Sequence, residues 1–312
     1  MPSLTKQPQR ASTSSSGGTR VKRQLPPPTT FTDMAITIVL HMCRKYLFFN
    51  RSHKIGFYVI FVTALSFFGE LAPLPRTFYL TNKRNILNDY FVKWGLLWTL
   101  ALLSPFVYYT SKVYSGGNLR NIRQQMARLI VSVIIWFVCT SVFVHVEKVS
   151  GFCTKSAYPD RSACAVGGGR WMSFDISGHC FLLIYCCLMI EEETRVYRNW
   201  DRITDLLNQA RSGSDPVELM SLSDREKTTI RDHHVTYTLW IRLGFLALTM
   251  LHLLWDFMLA ITSLYYHNWP QKIAGVATAT CAWYLTYGVW YRTPRSPGMP
   301  GHGKMKYQRK ET

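Results

Sequence analysis

The residues best suited to chemistry lie together at the start of an apolar stretch. Asp175, Ser177, Gly178 and His179 place a carboxylate, a hydroxyl, a glycine and an imidazole within five positions. Such groups cost free energy at a membrane boundary unless they are paired or used. A helix would bring Asp175 and His179 onto one face, where the carboxylate would orient the ring, while Gly178 would let an anion approach the backbone and Ser177 would donate to it. The competing interpretation is a helix start with a satisfied interfacial histidine.

A second histidine, His267, ends a later apolar stretch, and counting membrane crossings places it on the same face as His179. Two histidines at one membrane surface suit phosphoryl transfer, in which one imidazole attacks phosphorus and the other protonates the leaving oxygen. Arg170, beside the run Gly167–Gly169, would stabilise charge on the phosphoryl oxygens, although a plain linker is the favoured interpretation of the glycines. We expect neither a metal nor a cofactor.

Both histidines need a membrane framework to bring them together, and the composition predicts one. Charged residues make up 17% and aromatic residues 14% of the 312 residues, and the polar residues are concentrated in a few blocks. This pattern excludes a soluble cytosolic protein. We predict an all-α, polytopic membrane protein with six transmembrane helices, each long enough for a hydrocarbon core of about 30 Å. The six stretches are 55–75, 94–110, 129–146, 174–190, 243–266 and 273–291.

The basic residues indicate the orientation of these crossings. Of the 36 Lys and Arg residues, 26 lie on the side that holds both termini and nine on the other. The positive-inside rule therefore predicts cytosolic termini and places both histidines on the opposite, lumenal face. The net charge is +18, but the basic residues flank apolar runs and so indicate membrane topology. We therefore expect no nucleic acid partner.

The domain organisation follows from the same blocks. The predicted segments are a disordered tail at 1–30, an interfacial amphipathic segment at 31–54, a membrane domain at 55–291 with a cytosolic amphipathic insertion at 191–239, and a basic tail at 292–312. Within the insertion, apolar residues recur at helical spacing and predict a helix that could lie on the membrane. They are Trp200, Ile203, Leu206 and Leu207.

Three further features leave alternatives open. Asp256 lies near mid-membrane four residues after His252, which suits either a buried hydrogen bond between the two or a role with lipid headgroups or glycerides. Glu70 would face a polar cavity or extend to the interface. Cys153 and Cys164 share a lumenal loop and either form a disulfide or remain free.

The end of the chain bears on localisation. Arg309 and Lys310, at the fourth and third positions from a cytosolic terminus, look like a variant of the dibasic retrieval signal of endoplasmic reticulum proteins. The alternative is a basic tail attracted to anionic lipid.

Four segments in order resemble the fat storage-inducing transmembrane family of the endoplasmic reticulum. The resemblance covers roughly 55–291, except most of 195–235. The segments are Lys83-Arg84-Asn85 with Asn88-Asp89-Tyr90-Phe91-Val92-Lys93, then Phe174-Asp175-Ile176-Ser177-Gly178-His179-Cys180-Phe181-Leu182-Leu183, Tyr265-Tyr266-His267, and Leu285-Thr286-Tyr287-Gly288-Val289-Trp290-Tyr291.

This resemblance implies a lipid-phosphatase-like enzyme that cleaves the pyrophosphate of fatty acyl-CoA to acyl-phosphopantetheine and adenosine bisphosphate and supports lipid-droplet formation. It implies that His179 and His267 are catalytic. By analogy with lipid phosphatases, His267 would be the nucleophile and His179 the acid, but Gln271 stands where those enzymes have an orienting Asp, so the order of roles stays open. The alternative is a non-catalytic protein that binds diacylglycerol or triacylglycerol and organises droplet budding.

Overall fold

The structure, a computed structural model, describes residues 30–48, 51–72, 75, 77, 79–82, 84–155, 160–212, 216–303, 305 and 307. The chain divides into a first unit that ends at Val39 and a second unit that begins at Leu40 and contains every element discussed below except the first part of α1. The predicted tail at 1–30, except Thr30, lies outside the described residues. Arg309 and Lys310 lie outside them as well.

The described residues form helices joined by short turns, with one small β-ribbon. The helices are α1 (Phe31–Leu47), α2 (Arg51–Leu71), α3 (Gly95–Tyr114), α4 (Leu119–Ser150), α5 (Arg161–Val166), α6 (Gly178–Thr194), α7 (Trp200–Arg211), α8 (Asp224–Tyr265) and α9 (Trp269–Trp283). The strands β1 (Phe152–Cys153) and β2 (Trp171–Met172) pair antiparallel. π-helical turns cover Leu87–Val92 and Tyr284–Val289.

The all-α fold class is confirmed, and each predicted span falls largely within a helix or its π-helical extension. Among the described residues, three helical segments are long and apolar enough to cross a membrane: His53–Leu71, Leu119–Ser150 and Asp224–Tyr265. The chain is therefore a membrane protein with candidate transmembrane helices, while six crossings and cytosolic termini stay predictions.

α6 is the central helix of the second unit. It packs against α3, α8 and α9, and every residue from Cys180 to Thr194 is buried. A helix that is apolar all round needs protein on every side, which explains this position. The helix continues through the run Glu191–Glu193 because each carboxylate meets a cation. The pairs are Lys54–Glu191 at 2.5 Å, Arg195–Glu192 at 3.3 Å and Arg128–Glu193 at 2.6 Å.

The insertion contains the helix α7 (Trp200–Arg211), and its apolar face packs inside the protein. Trp200 and the other three apolar residues of its face are buried by protein. Trp200 stacks on His234 with ring centres 5.7 Å apart and meets Tyr307 edge-on at 6.3 Å. α8 begins at Asp224, well before the apolar stretch that starts at 243. This additional N-terminal part of α8 includes His234, which contacts the apolar face of α7.

The loop before α6 is a small folded unit. Cys153 and Cys164 form a disulfide, which decides between the two alternatives, and Cys153 pairs with Trp171 in the β-ribbon. A Cβ on Gly169 would lie 2.5 Å from the sulfur of Cys153, and Gly168 has a φ of +67°, so these glycines are required by the fold and are not a plain linker. The ribbon leads directly into the segment that begins α6.

Candidate active site

The start of α6 fixes His179 in the first turn of a helix. Ser177 is the N-cap, and its hydroxyl accepts a hydrogen bond from the backbone N–H of Cys180 at 3.3 Å. The backbone N–H of Ser177 donates to the carbonyl of Gln271 on α9 at 3.0 Å. α9 approaches this closely because position 275 is Gly: a Cβ there would lie 2.6 Å from the carbonyl oxygen of Ser177.

His267 lies in the short link between α8 and α9. Its φ of +55° is in the left-handed region, which costs a residue other than Gly about 1–2 kcal/mol. The surroundings hold it there: Asn268 and Gln271 form a capping box at the start of α9, and the backbone N–H of Trp269 donates to the carboxylate of Glu70 at 2.8 Å. Glu70 therefore caps α9, a role that neither sequence alternative included.

The two histidines meet at one end of the helices, as the count of crossings predicts. Their ring centres are 6.5 Å apart, and the ring planes are inclined by 50°. Both side chains are half-buried. The gap between the rings is on the scale of one small group, such as a phosphoryl group, held between them.

The predicted pairing of Asp175 with His179 on a helix face is wrong. α6 begins at Gly178, so Asp175 lies before the helix and the spacing of four residues does not apply. Its carboxylate faces the other histidine instead, with Oδ2 3.7 Å from Nδ1 of His267. The side-chain oxygen of Gln271 lies 3.4 Å from the same nitrogen. Gln271 thus occupies the position four residues after His267, and Asp175 supplies the carboxylate.

His179 has a partner that sequence reasoning missed. Its Nε2 lies 2.8 Å from the side-chain oxygen of Asn88, which is buried on the π-helical turn Leu87–Val92. Asn85 anchors this turn: its Oδ1 accepts from the backbone N–H of Asn88 at 2.7 Å, and its Nδ2 donates to the hydroxyl of Tyr266 at 3.3 Å. Two amides three residues apart before an apolar stretch were the signal available in the sequence.

The other predicted site residues have different surroundings. A Cβ on Gly178 would meet nothing within 4 Å, so the backbone is open there. Ser177 is buried and its hydroxyl serves as the helix cap. Arg170 is exposed. Its backbone N–H donates to Oγ1 of Thr154 at 2.8 Å, and its carbonyl accepts from the backbone N–H of Thr154 at 3.0 Å.

The geometry gives the two rings different chemistry. Nδ1 of His267 faces two oxygen acceptors and so carries the proton, which leaves the lone pair on Nε2. Nε2 of His179 faces an amide oxygen and is a donor. The start of α6 contributes the positive end of a helix dipole beside the open backbone of Gly178. A nucleophile, a proton donor and an anion-binding helix end are the groups that phosphoryl transfer uses.

Asp256 lies apart from this arrangement. Its Oδ2 is 3.3 Å from Nδ1 of His252, which confirms the predicted pair four residues apart on one helix. The role of Asp256 with lipid stays a prediction.

Comparison with known proteins identifies the family of the chain. A family model described as fat storage-inducing transmembrane protein matches residues 76–150 and 144–287. A Drosophila melanogaster protein named acyl-coenzyme A diphosphatase FITM2 is 35% identical over 292 residues, covering 90% of this chain and 68% of that protein. Proteins of the same name from Xenopus tropicalis and Homo sapiens are 37% and 36% identical, each over 74% of this chain and 79% of its own length. No solved structure matches the chain.

Proposed function

Because the chain belongs to the fat storage-inducing transmembrane family, we propose that it is a fatty acyl-coenzyme A diphosphatase whose catalytic residues are His179 and His267. The observation that carries the proposal is the pair of rings 6.5 Å apart at one end of the helices. The names of the relatives supply the substrate class: they are called acyl-coenzyme A diphosphatases. The products are acyl-phosphopantetheine and adenosine bisphosphate.

In the first step, Nε2 of His267 attacks one phosphorus of the diphosphate. An N–P bond forms as the bridging P–O bond breaks, and the departing phosphate takes the Nδ1 proton of His179, which enters the step as an imidazolium with its Nε2–H held by Asn88. In the second step, water attacks the phosphorus, His179 takes the water proton, and the N–P bond breaks to return His267 to its starting form. The two steps consume one water, as hydrolysis requires.

Asp175 positions His267 through Nδ1. Once Nε2 has bonded to phosphorus the ring is a cation, and the carboxylate 3.7 Å from Nδ1 stabilises it. Gln271 holds the same nitrogen by its side-chain oxygen at 3.4 Å. Gln271, four residues after His267, has a neutral amide where lipid phosphatases have a charged Asp. In this chain the negative charge beside His267 comes from Asp175, in the segment before α6.

The substrate phosphates have two partners on this chain. The open backbone at Gly178, on the first turn of α6, receives an anion at the positive end of the helix, next to His179. The exposed guanidinium of Arg170 adds positive charge at the lumenal end of the loop, where the adenosine bisphosphate half of the substrate needs it. Asn88 fixes the ring of His179 by accepting from Nε2 at 2.8 Å, so that Nδ1 is the nitrogen that protonates the leaving group.

The proposal includes the setting of the reaction. The protein resides in the endoplasmic reticulum membrane with both termini in the cytosol and the histidines on the lumenal face, and its activity supports lipid-droplet formation. Acyl-CoA reaches the site with its chain in the bilayer, and neutral lipid is the further partner. The bias in basic residues, 26 against nine, supports the orientation.

Purified protein in lipid nanodiscs, incubated with a long-chain acyl-CoA and analysed by mass spectrometry, tests the function. We expect acyl-phosphopantetheine and adenosine bisphosphate in equal amounts. Release of free CoA with fatty acid would show a thioesterase instead. A folded protein that binds diacylglycerol or triacylglycerol but forms no product would support the non-catalytic alternative and overturn the proposal.

A further inference from the structure

A second cluster of polar side chains lies inside the membrane domain, on α6 and in the middle of α8. Cys187, His252 and Asp256 each offer one potential ligand atom, and these atoms all lie within 4.8 Å of one another. Cys187 and His252 are completely buried, and the side chain of Asp256 is 28% exposed. His252 precedes His267 by fifteen residues, about 22 Å along a helix, so the proposed hydrolysis does not use this cluster.

We propose that Cys187, His252 and Asp256 bind a zinc ion. Nδ1 of His252 is 3.3 Å from Oδ2 of Asp256, and Sγ of Cys187 is 3.7 Å from Oδ1 of Asp256. Ligands held about 2.0–2.3 Å from a tetrahedral zinc ion are about 3.3–3.8 Å apart, and these two pairs have that spacing. The side chains therefore need only small adjustments to enclose the ion.

The ligand types select the metal. A thiolate is a soft ligand that disfavours magnesium and calcium, which prefer sets made of oxygen alone. Sulfur, imidazole nitrogen and a carboxylate oxygen together suit zinc. Three protein ligands leave one coordination position, which water or the hydroxyl of Tyr46, 2.8 Å from Nδ1 of His252, can fill.

The groups around the three ligands orient them as metal sites require. The other ring nitrogen of His252, Nε2, lies 3.2 Å from the carboxylate of Glu191, so it can donate there while Nδ1 binds the metal. The hydroxyl of Tyr58 donates to Oδ1 of Asp256 at 3.0 Å, and the hydroxyl of Tyr46 donates to Oδ2. A carboxylate behind a metal-binding histidine is a recurring arrangement that fixes the ring and its tautomer.

The charges balance when zinc is present. Lys54 and Glu191 neutralise each other at 2.5 Å. A zinc ion carries two positive charges, and the Cys187 thiolate and the Asp256 carboxylate carry one negative charge each, with His252 neutral. A site with no net charge is what a low-dielectric interior tolerates best. Zinc binding would release the thiol proton and any proton on His252.

Such an ion would connect separate parts of the membrane domain. Cys187 comes from α6, and His252 and Asp256 come from α8, while Tyr46 and Tyr58 reach the ligands from α1 and α2. Cys187 and His252 are 65 residues apart in the sequence, so the site has no short metal-binding motif by which it could be predicted. Bound zinc would therefore stabilise the packing of α6 against α8, far from the two site histidines.

Metal analysis of the full-length, tag-free protein in nanodiscs tests the proposal. The protein is stripped with a chelator, incubated with zinc, freed of excess ion and measured by elemental mass spectrometry. We expect about one zinc per chain in the wild type, at least a tenfold lower content in Cys187→Ser, and a wild-type content in Cys186→Ser, which changes the neighbouring buried cysteine. The double variant His179→Ala, His267→Ala should keep the ion, which separates this site from the proposed catalytic pair.

Cobalt gives a second measurement that does not depend on a variant that folds. Wild-type protein loaded with Co²⁺ should show a thiolate-to-cobalt charge-transfer band, which zinc displaces, and zinc should raise its thermal unfolding midpoint. A folded wild-type protein that retains no zinc and shows no thiolate band would overturn the proposal, and the cluster would then be held by protons and hydrogen bonds alone. Equal zinc contents in the wild type and a folded Cys187→Ser would overturn it as well.

Discussion

Asp175→Asn isolates the contribution of the carboxylate that faces His267. The substitution keeps the size of the side chain and removes its charge. At the 3.7 Å that separates Oδ2 from Nδ1, a carboxylate and an imidazolium attract each other by about 1 kcal/mol in a water-like medium and by about 4.5 kcal/mol at an effective dielectric constant of 20. Because the Asp175 side chain is 54% exposed, solvent screens the pair and the lower end applies.

We take about 1–2 kcal/mol, which corresponds to a loss in kcat of about 5- to 30-fold. The loss falls on kcat, because the carboxylate stabilises the cationic ring that forms during phosphoryl transfer. KM should stay within about twofold of the wild-type value.

Steady-state hydrolysis of acyl-CoA in nanodiscs from pH 5 to pH 9 measures these quantities. Asp160→Asn is the matched control, since it removes another exposed carboxylate of the segment before α6. The role of Asp160, capping the N–H of Ala163 at 2.8 Å, can also be filled by an Asn side chain. Unchanged kcat in Asp175→Asn would refute the reasoning. A loss confined to KM would assign Asp175 to the substrate instead.

Three further predictions concern packing and topology. Gly275→Ala should lower the free energy of unfolding, measured by thermal unfolding, by about 1–3 kcal/mol because the added Cβ meets the carbonyl of Ser177. Gly56→Ala is the control: a Cβ there meets nothing within 4 Å, so the substitution should be neutral or stabilising. Replacing Cys153 and Cys164 by Ser should cost about 3 kcal/mol, measured by the same assay, for a loop closed over a separation of eleven residues. The sequon at Asn50, which lies outside the described residues, should carry no glycan in cells because 31–54 is predicted to be cytosolic, and a glycan detected by an enzymatic mobility shift would invert the topology.

The sequence predicts the meeting of His179 and His267 because crossing parity depends only on the number of apolar stretches between them. It predicts the Asp256–His252 pair because both residues belong to one continuous helix, where spacing determines contact. Asp175 fails the same argument, since the helix begins three residues after it. The signal for that boundary was Ser177, a residue type favoured at the N-cap, followed by Gly178.

Contacts between distant segments could not be predicted in this way. Asn88 reaches His179 across 91 residues, and its position depends on a π-helical turn that hydrophobic periodicity does not reveal. α7 has the amphipathic pattern of a membrane-surface helix, but the same pattern suits a helix whose apolar face is buried against protein. In the structure, Trp200 of this face packs against His234 and Tyr307. Composition alone does not distinguish these two environments.

Turnover of acyl-CoA by His267→Ala tests the two-histidine account most directly. His179→Ala is measured beside it, and His145→Ala, which changes an exposed histidine of α4, is the control. The account predicts losses of about 10²-fold or more for each site variant, as expected for removal of a nucleophile or an acid, with wild-type turnover in the control and unchanged thermal unfolding in all three. A well-folded His267→Ala protein that hydrolyses acyl-CoA at a near-normal rate would contradict it.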